Sequence, residues 1–354
     1  MMVDLPSYGP TCRIRFGSFL RSRPLLLNYT GDKTLSEFQV KCVLTSHDIP
    51  FEKLRADKQD LLFVDNNNEP IPYWIEKADS IEIIVWLKFS EIIPGREIFW
   101  LYYGSGNFSG ASDVDATFIR VIDGLVASWH FDEGSGTTAY DSSGNNNDGT
   151  IYGATWINGK FGKALNFDGT DDYVSDGSNI NVDDLSVEAL VNVEEFEEWD
   201  VIVQRANDDG RGFALRLGPY SGFAFQAKQY SAVANKVKYF CSTNEWYHLV
   251  GTYSSESGLS LFINGEEATT DYNSEAEDGG GTILEIGRRA NAAQNYFKGI
   301  IDEVRIYDRA LTPEEVLDLY NNYGYTTTNY PGKVLVRKYT EPEPSVSLGA
   351  EENL

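Results

Sequence analysis

Cysteine, histidine, positive charge and long apolar runs are what this sequence has least of. Its three cysteines, Cys12, Cys42 and Cys241, have neither metal-ligand nor redox spacing and allow at most one intrachain disulfide. Cys12 and Cys42 both fall in the N-terminal part and are the pair such a bond would join. Three buried free thiols are the alternative, so cysteine leaves the compartment open. His47, His130 and His248 stand in no recognisable nucleophile arrangement with serine or cysteine partners. The opening MMVDLPSYGPTCRIRFGSFL lacks an apolar stretch long enough for the core of a signal peptide, and no later segment is long enough to span a bilayer. No membrane insertion is therefore expected. The route outward would be either a removed export signal or incorporation into something like a virus particle. Lysine and arginine number 29 against 54 aspartates and glutamates, a net charge of −25 and a pI near 4.4. With no segregated basic stripe, such a surface repels nucleic acid and anionic membranes.

Aromatics are plentiful instead: 21 Tyr, 19 Phe and 7 Trp, as suits all-β sandwiches and also sugar-binding surfaces. Short apolar-alternating runs bounded by Gly, Asn, Asp and Pro follow one another from Arg23 onward, and the 354-residue length favours about two domains. In SIEIIVWLKF, Ile81, Ile83, Val85 and Leu87 share one face, while Glu82, Ile84, Trp86 and Lys88 share a mixed one. Tyr73, Trp74, Trp86, Trp100, Tyr102 and Tyr103 could stack sugars, but alternate strand positions favour core for each. Asp65 reads as a turn cap. Asn264-Gly265 is the strongest hairpin signal, since a type I′ turn needs positive φ at both positions. A helix is signalled once, in LTPEEVLDLYNNYG. There Thr312 and Glu315 form a capping box, Pro313 fits the first helical position, Gly324 suits the stop, and Val316, Leu319 and Tyr320 make the apolar face.

The chain is organised around residues 125–174, LVASWHFDEGSGTTAYDSSGNNNDGTIYGATWINGKFGKALNFDGTDDYV. Its order of Trp, Phe-Asp-Glu-Gly-Ser-Gly, Asp-Ser-Ser-Gly, Gly-Lys and Ala-Leu-Asn-Phe-Asp-Gly resembles the opening of laminin-G-like, concanavalin-type lectin domains. SVEALV, EWYHLVGTYS, LSLFINGEE and GIIDEVRIYDRALTPEEV extend the resemblance over residues 125–323. The series DLLFVD, IPYWIE and LYYG is similar to an uncharacterised prokaryotic surface β-domain family with no known catalytic residues. In that family a segment like VRKYTEPEPSV closes the domain. The resemblance thus implies an all-β fold of two β-sandwich domains, the second a concanavalin A-like jelly roll with one short helix near its C-terminal end. The expected boundaries are an N-terminal extension 1–22, a discontinuous β-sandwich 23–118 plus 331–350, and a laminin-G-like domain 119–325. A loose C-terminal tail is the alternative for the last segment, because Pro342 and Pro344 interrupt pairing.

Three chemistries follow from the resemblance. Endoglucanases of the same architecture have a strand motif Glu-x-Asp-x-x-Glu supplying nucleophile and acid/base. The nearest stretch is Glu198-Trp-Asp200-Val-Ile-Val203, with valine at the second catalytic position, so no enzyme is expected. Lectins of this architecture commonly hold a structural calcium where the first strand meets the last. Asp132 and Asp302 match those strands, and Asp141 and Asn146 in DSSGNNNDG offer further hard oxygen donors. Turn capping is the even alternative for these residues. Glycan contact would fall on loops over a rigid sandwich, with Asp208, Arg211, Arg288, Asn291 and Tyr296 the candidates and plain solvated loops the alternative. The resulting reading is a non-enzymatic, adhesin-like recognition protein, extracellular or on a cell or virion surface, that binds a glycan or glycoprotein. The runner-up is a structural or receptor-binding protein of a virus particle or surface layer, assembled as a homo-oligomer. A glycan-cleaving enzyme comes last.

Overall fold

Alternation of apolar and polar residues becomes antiparallel sheet in both halves of the molecule, because a half-buried strand can hide only every second side chain. The structure is a computed structural model that describes residues 2–4, 13–15, 19, 21–108, 110–176, 180, 182–205, 212–218, 221–229, 232–238, 241–268, 271–272, 283–290, 293–349 and 352–353. It divides into two compact units, Met1–Val121 with Leu335–Leu354, and Ile122–Val334.

In the first unit, Arg21–Tyr29 lies between Gly95–Tyr103 and Ser345–Leu348, with Leu61–Val64 on the far side of Gly95–Tyr103. Leu35–Thr45, Glu82–Ile92 and Tyr73–Ala78 make a second sheet. Leu25, Leu27, Val40, Val85, Phe99 and Leu101, from both sheets, meet in one core. The apolar face of Glu82–Ile92 is buried at Ile83, Val85 and Leu87, whereas Ile81 precedes the strand and is 71% exposed. The mixed face is covered too. Trp86 packs edge-on against Phe118 at 5.7 Å, donates to Glu76 Oε2 at 2.8 Å, and carries the Arg337 guanidinium 5.0 Å from its ring centroid. Tyr73, Trp74 and Tyr103 are buried, and the half-buried Trp100 and Tyr102 pack against Phe19, Leu62 and Val64. Asp65 caps its turn by accepting from the backbone of Asn67 and Glu69, each at 2.8 Å. A single-turn helix that sequence periodicity did not signal, Val114–Thr117, is capped by Asp113, which accepts from Asp115 N and Ala116 N.

The second unit is a two-sheet sandwich. One sheet runs Thr155–Asn158, Lys163–Asp168, Lys298–Tyr307, Leu185–Val193, Trp246–Ser254, Gly258–Ile263, Glu266–Glu267, with Leu125–Trp129 also on Lys298–Tyr307. The other includes Gly149–Tyr152, Tyr173–Ser175, Leu284–Ile286, Val201–Arg205, Gly212–Gly218 and Gly222–Gln229 in that order. Trp129, Phe167, Val187, Leu215, Phe225 and Ile306 belong to the core between them. Asn264 and Gly265 take φ of 54° and 79°, the two positive values a type I′ turn requires. The helix Pro313–Asn321 begins with the expected box, Thr312 Oγ1 accepting from Glu315 N (3.3 Å) and Glu315 Oε2 accepting from Thr312 N (2.9 Å). It stops at Asn321 rather than Gly324, which lies in the strand Tyr323–Tyr325. Val316 and Leu319 are buried, but Tyr320 is 44% exposed and stacks on His248 at 6.1 Å instead of joining the apolar face. Among the described residues no helix is long and apolar enough to cross a membrane.

Of the two alternatives for cysteine, the free thiol holds at Cys42, which lies opposite Val85 on the inward face of its strand. Cys12 lies outside the described residues. Burial, with the Asp48 charge adding to it, pushes the Cys42 thiol up to about 12. Native protein at about pH 8 should therefore leave Cys42 unalkylated, and urea-unfolded protein, whose thiols titrate near 8.5, should label it. Peptide mass spectrometry reads the difference; rapid labelling of the native thiol would contradict the buried strand.

Candidate functional site

The four residues expected to hold a metal are used in two different ways. Asp141 staples its own loop. Its Oδ1 accepts from Ser128 N and Ser143 N (2.9 Å each), and its Oδ2 accepts from Ser143 Oγ (2.8 Å) and Asn147 N (2.9 Å). Four donors occupy both oxygens, so Asp141 does what the capping alternative describes. Asn146 is exposed in the same loop at φ 60°. Among the described residues, three carboxylates lie within 4.8 Å of one another at Asp168, Asp171 and Asp172, and not at Asp132, Asp141 and Asp302.

Asp132 and Asp302 instead close around the turn after Thr155–Asn158. Asp132 Oδ1 accepts from Lys163 N (2.7 Å), and Asp302 Oδ2 accepts from Lys160 N (2.9 Å) and Phe161 N (3.1 Å). A Cβ on Gly159 would stand 2.5 Å from Asp302 Oδ2, and one on Gly162 would stand 2.1 Å from Asp132 Oδ1. Only glycine lets the turn approach both carboxylates. Asp302 Oδ1 is buried without a hydrogen-bond partner. Burial, then the Glu303 and Asp132 charges, hold Asp302 well above the usual carboxylate range. Burial raises Asp132 also, with Glu303 adding to it. A buried carboxylate oxygen with no donor beside a second carboxylate fits a hard cation such as calcium.

These groups share a face because of one irregularity. Ile301 and Val304 both point into the core, with two residues between them where strict alternation would leave one. The register against Leu185–Val193 shifts between Glu188 and Leu190, and Glu303 takes φ 51°. This β-bulge places Asp302 and Glu303 together on the outer side and re-aims Arg305 with them. Arg305 Nη1 donates to Glu188 Oε1 (2.9 Å), and its Nη2 donates to Glu303 and to Gly324 O (2.5 Å). Tyr307 donates to Glu188 Oε2 at 2.7 Å, and His248 Nε2 lies 3.1 Å from Glu188 Oε1. His130 Nδ1 is 2.8 Å from Glu303 Oε2, and its Nε2 is 2.6 Å from Thr326 Oγ1. Burial alone would raise Glu188, but the Arg305 charge, with His248 and Tyr307, brings it down to about 2. Neither Glu188 nor Arg305 was singled out from the sequence, and His248 was named there only to set aside nucleophile chemistry. The available signal was the Ile301-Asp-Glu-Val304 break in alternation.

Asp208, Arg211 and Asn291 lie outside the described residues. Arg288 and Tyr296 do meet, on the outer face of the second sheet, where Tyr296 hydrogen-bonds Arg288. Glu285 holds the guanidinium through Nε (2.9 Å) and Nη2 (2.7 Å), a bidentate pair that fixes its plane. That plane lies over Tyr173 at 3.3 Å from the ring centroid. Register places Tyr152 opposite Tyr173, and the rings stack at 4.4 Å and 11°. Tyr152 is 45% exposed. The result is a rigid stack of guanidinium and two rings with Tyr152 at its outer end. Tyr152 and Tyr173 were legible only as outward positions beside the core residues Ile151 and Val174. Further along this sheet Arg216 lies 4.6 Å from the Trp199 ring centroid and donates to Gln226. In the glucanase-like stretch Glu198 is exposed, Asp200 is buried, and Val203 points into the core.

Residues 168–317 match a laminin-G family model described as "Concanavalin A-like lectin/glucanases superfamily". Residues 57–156 match a "Domain of unknown function (DUF2341)". A curated relative, adhesion G-protein coupled receptor D1 of Homo sapiens, is 35% identical over 74 residues, which are 20% of this chain and 8% of the receptor. The chain thus spans a small part of that relative's length. Among solved structures, domain 4 of AbnA, a GH43 extracellular arabinanase from Geobacillus stearothermophilus, in complex with arabinotriose, is similar at 25% identity and TM-score 0.46. The match covers 56% of this chain and 98% of that one. The binding domain of Paraclostridial Mosquitocidal Protein 1 is similar at 18% identity and TM-score 0.44, covering 59% and 55%. The botulinum neurotoxin serotype D binding domain is similar at 16% identity and TM-score 0.44, covering 56% and 52%.

Removing one partner of a buried ion pair costs about 3–5 kcal/mol, so Glu188→Gln should destabilise the protein by that order at neutral pH, read by urea unfolding. Glu188 is depressed in the fold, so its ionisation stabilises fully above its ordinary value near 4.5, and that stability is lost as pH falls toward about 2. The gap between wild type and Glu188→Gln should therefore narrow over that acid window. A gap independent of pH would mean that shape, and not charge, explains the loss.

Proposed function

The chain carries a laminin-G-like domain of the concanavalin A-like superfamily, preceded by another β domain, and from this we propose that it is an adhesin-like recognition protein acting outside the cell or on a particle surface. Its laminin-G-like domain binds a glycan or glycoprotein and does not cleave it. The observation that supports this reading is the stack of Arg288, Tyr173 and Tyr152. A ring held against a fixed guanidinium keeps its conformation before the ligand arrives, so little entropy is lost on binding. The exposed Tyr152 offers an apolar face to the C–H side of a sugar ring. Asp132 and Asp302 hold a structural calcium in the same domain, with Asp302 Oδ1 as the donor that lacks any other partner.

A glycan array with wild type and Tyr152→Ala tests the binding reading. A saturable wild-type signal should fall about tenfold in the variant, equivalent to about 1.4 kcal/mol, with an unchanged melting temperature and no sugar released from β-glucans. A blank wild-type array together with a stable multimer by native mass would favour the assembly role instead. Reproducible hydrolysis would overturn the non-enzymatic part.

For the metal, millimolar calcium should raise the melting temperature of wild type, and chelator should lower it. Asp302→Asn keeps an oxygen for the Lys160 and Phe161 amides but removes the charge, so it should lose the calcium response. Identical wild-type melting with and without calcium would remove the metal and leave the glycan reading standing.

A further inference from the structure

A cavity of about 300 Å³ lies between the first sheet of the second unit and the end of the helix Pro313–Asn321. That is the lower end of the range of about 300–1,000 Å³ that ligand pockets occupy. Its floor is made of the buried Glu188, His248 and Arg305, and its rim includes the half-buried Trp246 and Asn322 and the exposed Tyr320. The space under a helix is ordinarily filled by apolar side chains; here Phe161, Leu190 and Leu319 share the lining with hydrogen-bonding groups, three of which have a buried polar atom without a partner.

The unspent valences define a ligand. His248 Nε2 lies 3.1 Å from the Glu188 carboxylate, an acceptor, so that nitrogen carries a proton, and Nδ1 has no partner. Arg305 uses Nη1 and Nη2 on Glu188, Glu303 and Gly324 O, which leaves its Nε–H as a donor without a partner. Asn322 Nδ2 donates to Asp318 O at 2.8 Å, and its Oδ1 has none. Three residues that line one small space thus have an unpartnered polar atom each: an acceptor on Asn322, a donor on Arg305 and Nδ1 of His248. Glu188 is already neutralised by Arg305, so a cation would enter without a counter-charge and would carry its desolvation cost uncompensated; the other cation of the lining, Lys160, is exposed and solvated, so it compensates a buried anion little. Hydroxyl groups donate and accept equally well and carry no charge. Trp246 and Tyr320 supply ring faces for an apolar underside.

We propose that this cavity is a second ligand site, taking a neutral polyhydroxylated ring of monosaccharide size. It is separate from the Tyr152 stack, which belongs to the other sheet. The same ring could arrive as a free monosaccharide or as the terminal residue of a longer glycan.

The sequence contains three histidines, so imidazole resonances of protein carrying ¹⁵N-histidine resolve the site directly, with His248 assigned through His248→Gln. The probes are free D-glucose, D-galactose and D-mannose, and the same sugars linked to a soluble polymer. His248 Nδ1 should shift saturably with at least one probe while the signals of His47 stay still. A response to free sugar alone identifies the free monosaccharide as the source, and a response to the polymer identifies a terminal residue. Asn322→Leu should weaken the response about tenfold, the loss of one good hydrogen bond, and Tyr320→Ala provides a second variant should the first fail to fold. Tyr152→Ala should leave the response intact even if the surface stack binds nothing. No shift with any probe at about 100 mM, where a Kd of about 1 mM would be saturated, would mean that the cavity holds ordered water only. A shift unchanged in both rim variants would likewise overturn the proposal.

Discussion

Glu303 sits in a left-handed backbone conformation in the middle of Lys298–Tyr307, and that one extra residue governs the chemistry of the second unit. Lys298–Tyr307 is the strand with the most neighbours in its sheet, pairing with Leu125–Trp129, Lys163–Asp168 and Leu185–Val193. Without the bulge, alternation would put either Asp302 or Glu303 into the apolar core, where an unpaired carboxylate is far more costly than the local strain of a positive φ. With it, Asp302, Glu303 and Arg305 all emerge on one side. Arg305 then joins Glu188 and Glu303, and the turn after Thr155–Asn158 closes over Asp302.

The acidic balance of the chain has several structural causes. Asp141, Asp132, Asp65 and Asp113 accept backbone N–H groups in turns and at a helix start, replacing ladder bonds that a loop cannot make. Glu188, Glu285 and Glu303 each face an arginine. Asp302 belongs to neither class completely, because one of its oxygens is satisfied and the other is not. That inequality distinguishes it from the turn caps, which occur all along the chain with the same residue type.

Aromatic residues divide on similar grounds. Tyr73 and Tyr103 belong to the core of the first unit and are buried, with the Tyr73 hydroxyl donating to Leu61 O at 2.6 Å. Tyr152 and Tyr173 lie in short strands whose outer face carries the Arg288–Glu285 pair. Both sets occupy alternate strand positions, so residue type and spacing alone do not separate a core ring from a surface ring.

The sequence by itself determined the local structure and the family. Alternation specified strands, Asn264-Gly265 specified a tight hairpin, and Thr312 to Glu315 specified a helix start, because each depends on neighbours within a few residues. The laminin-G-like order of residues 125–323 reads directly, and the family match covers residues 168–317 of it. Part of the candidate site was legible too: Asp132, Asp302, Arg288 and Tyr296 were named from composition and family, though without their partners. Tertiary structure decided the partners. The opposition of Tyr152 and Tyr173 depends on strand register. The Glu188–Arg305–His248 cluster takes one residue from each of three strands, brought side by side in the order Lys298–Tyr307, Leu185–Val193, Trp246–Ser254. No local pattern encodes that adjacency. It arises when the sheet closes around its apolar face and a single bulge sets which charged side chains are left outside.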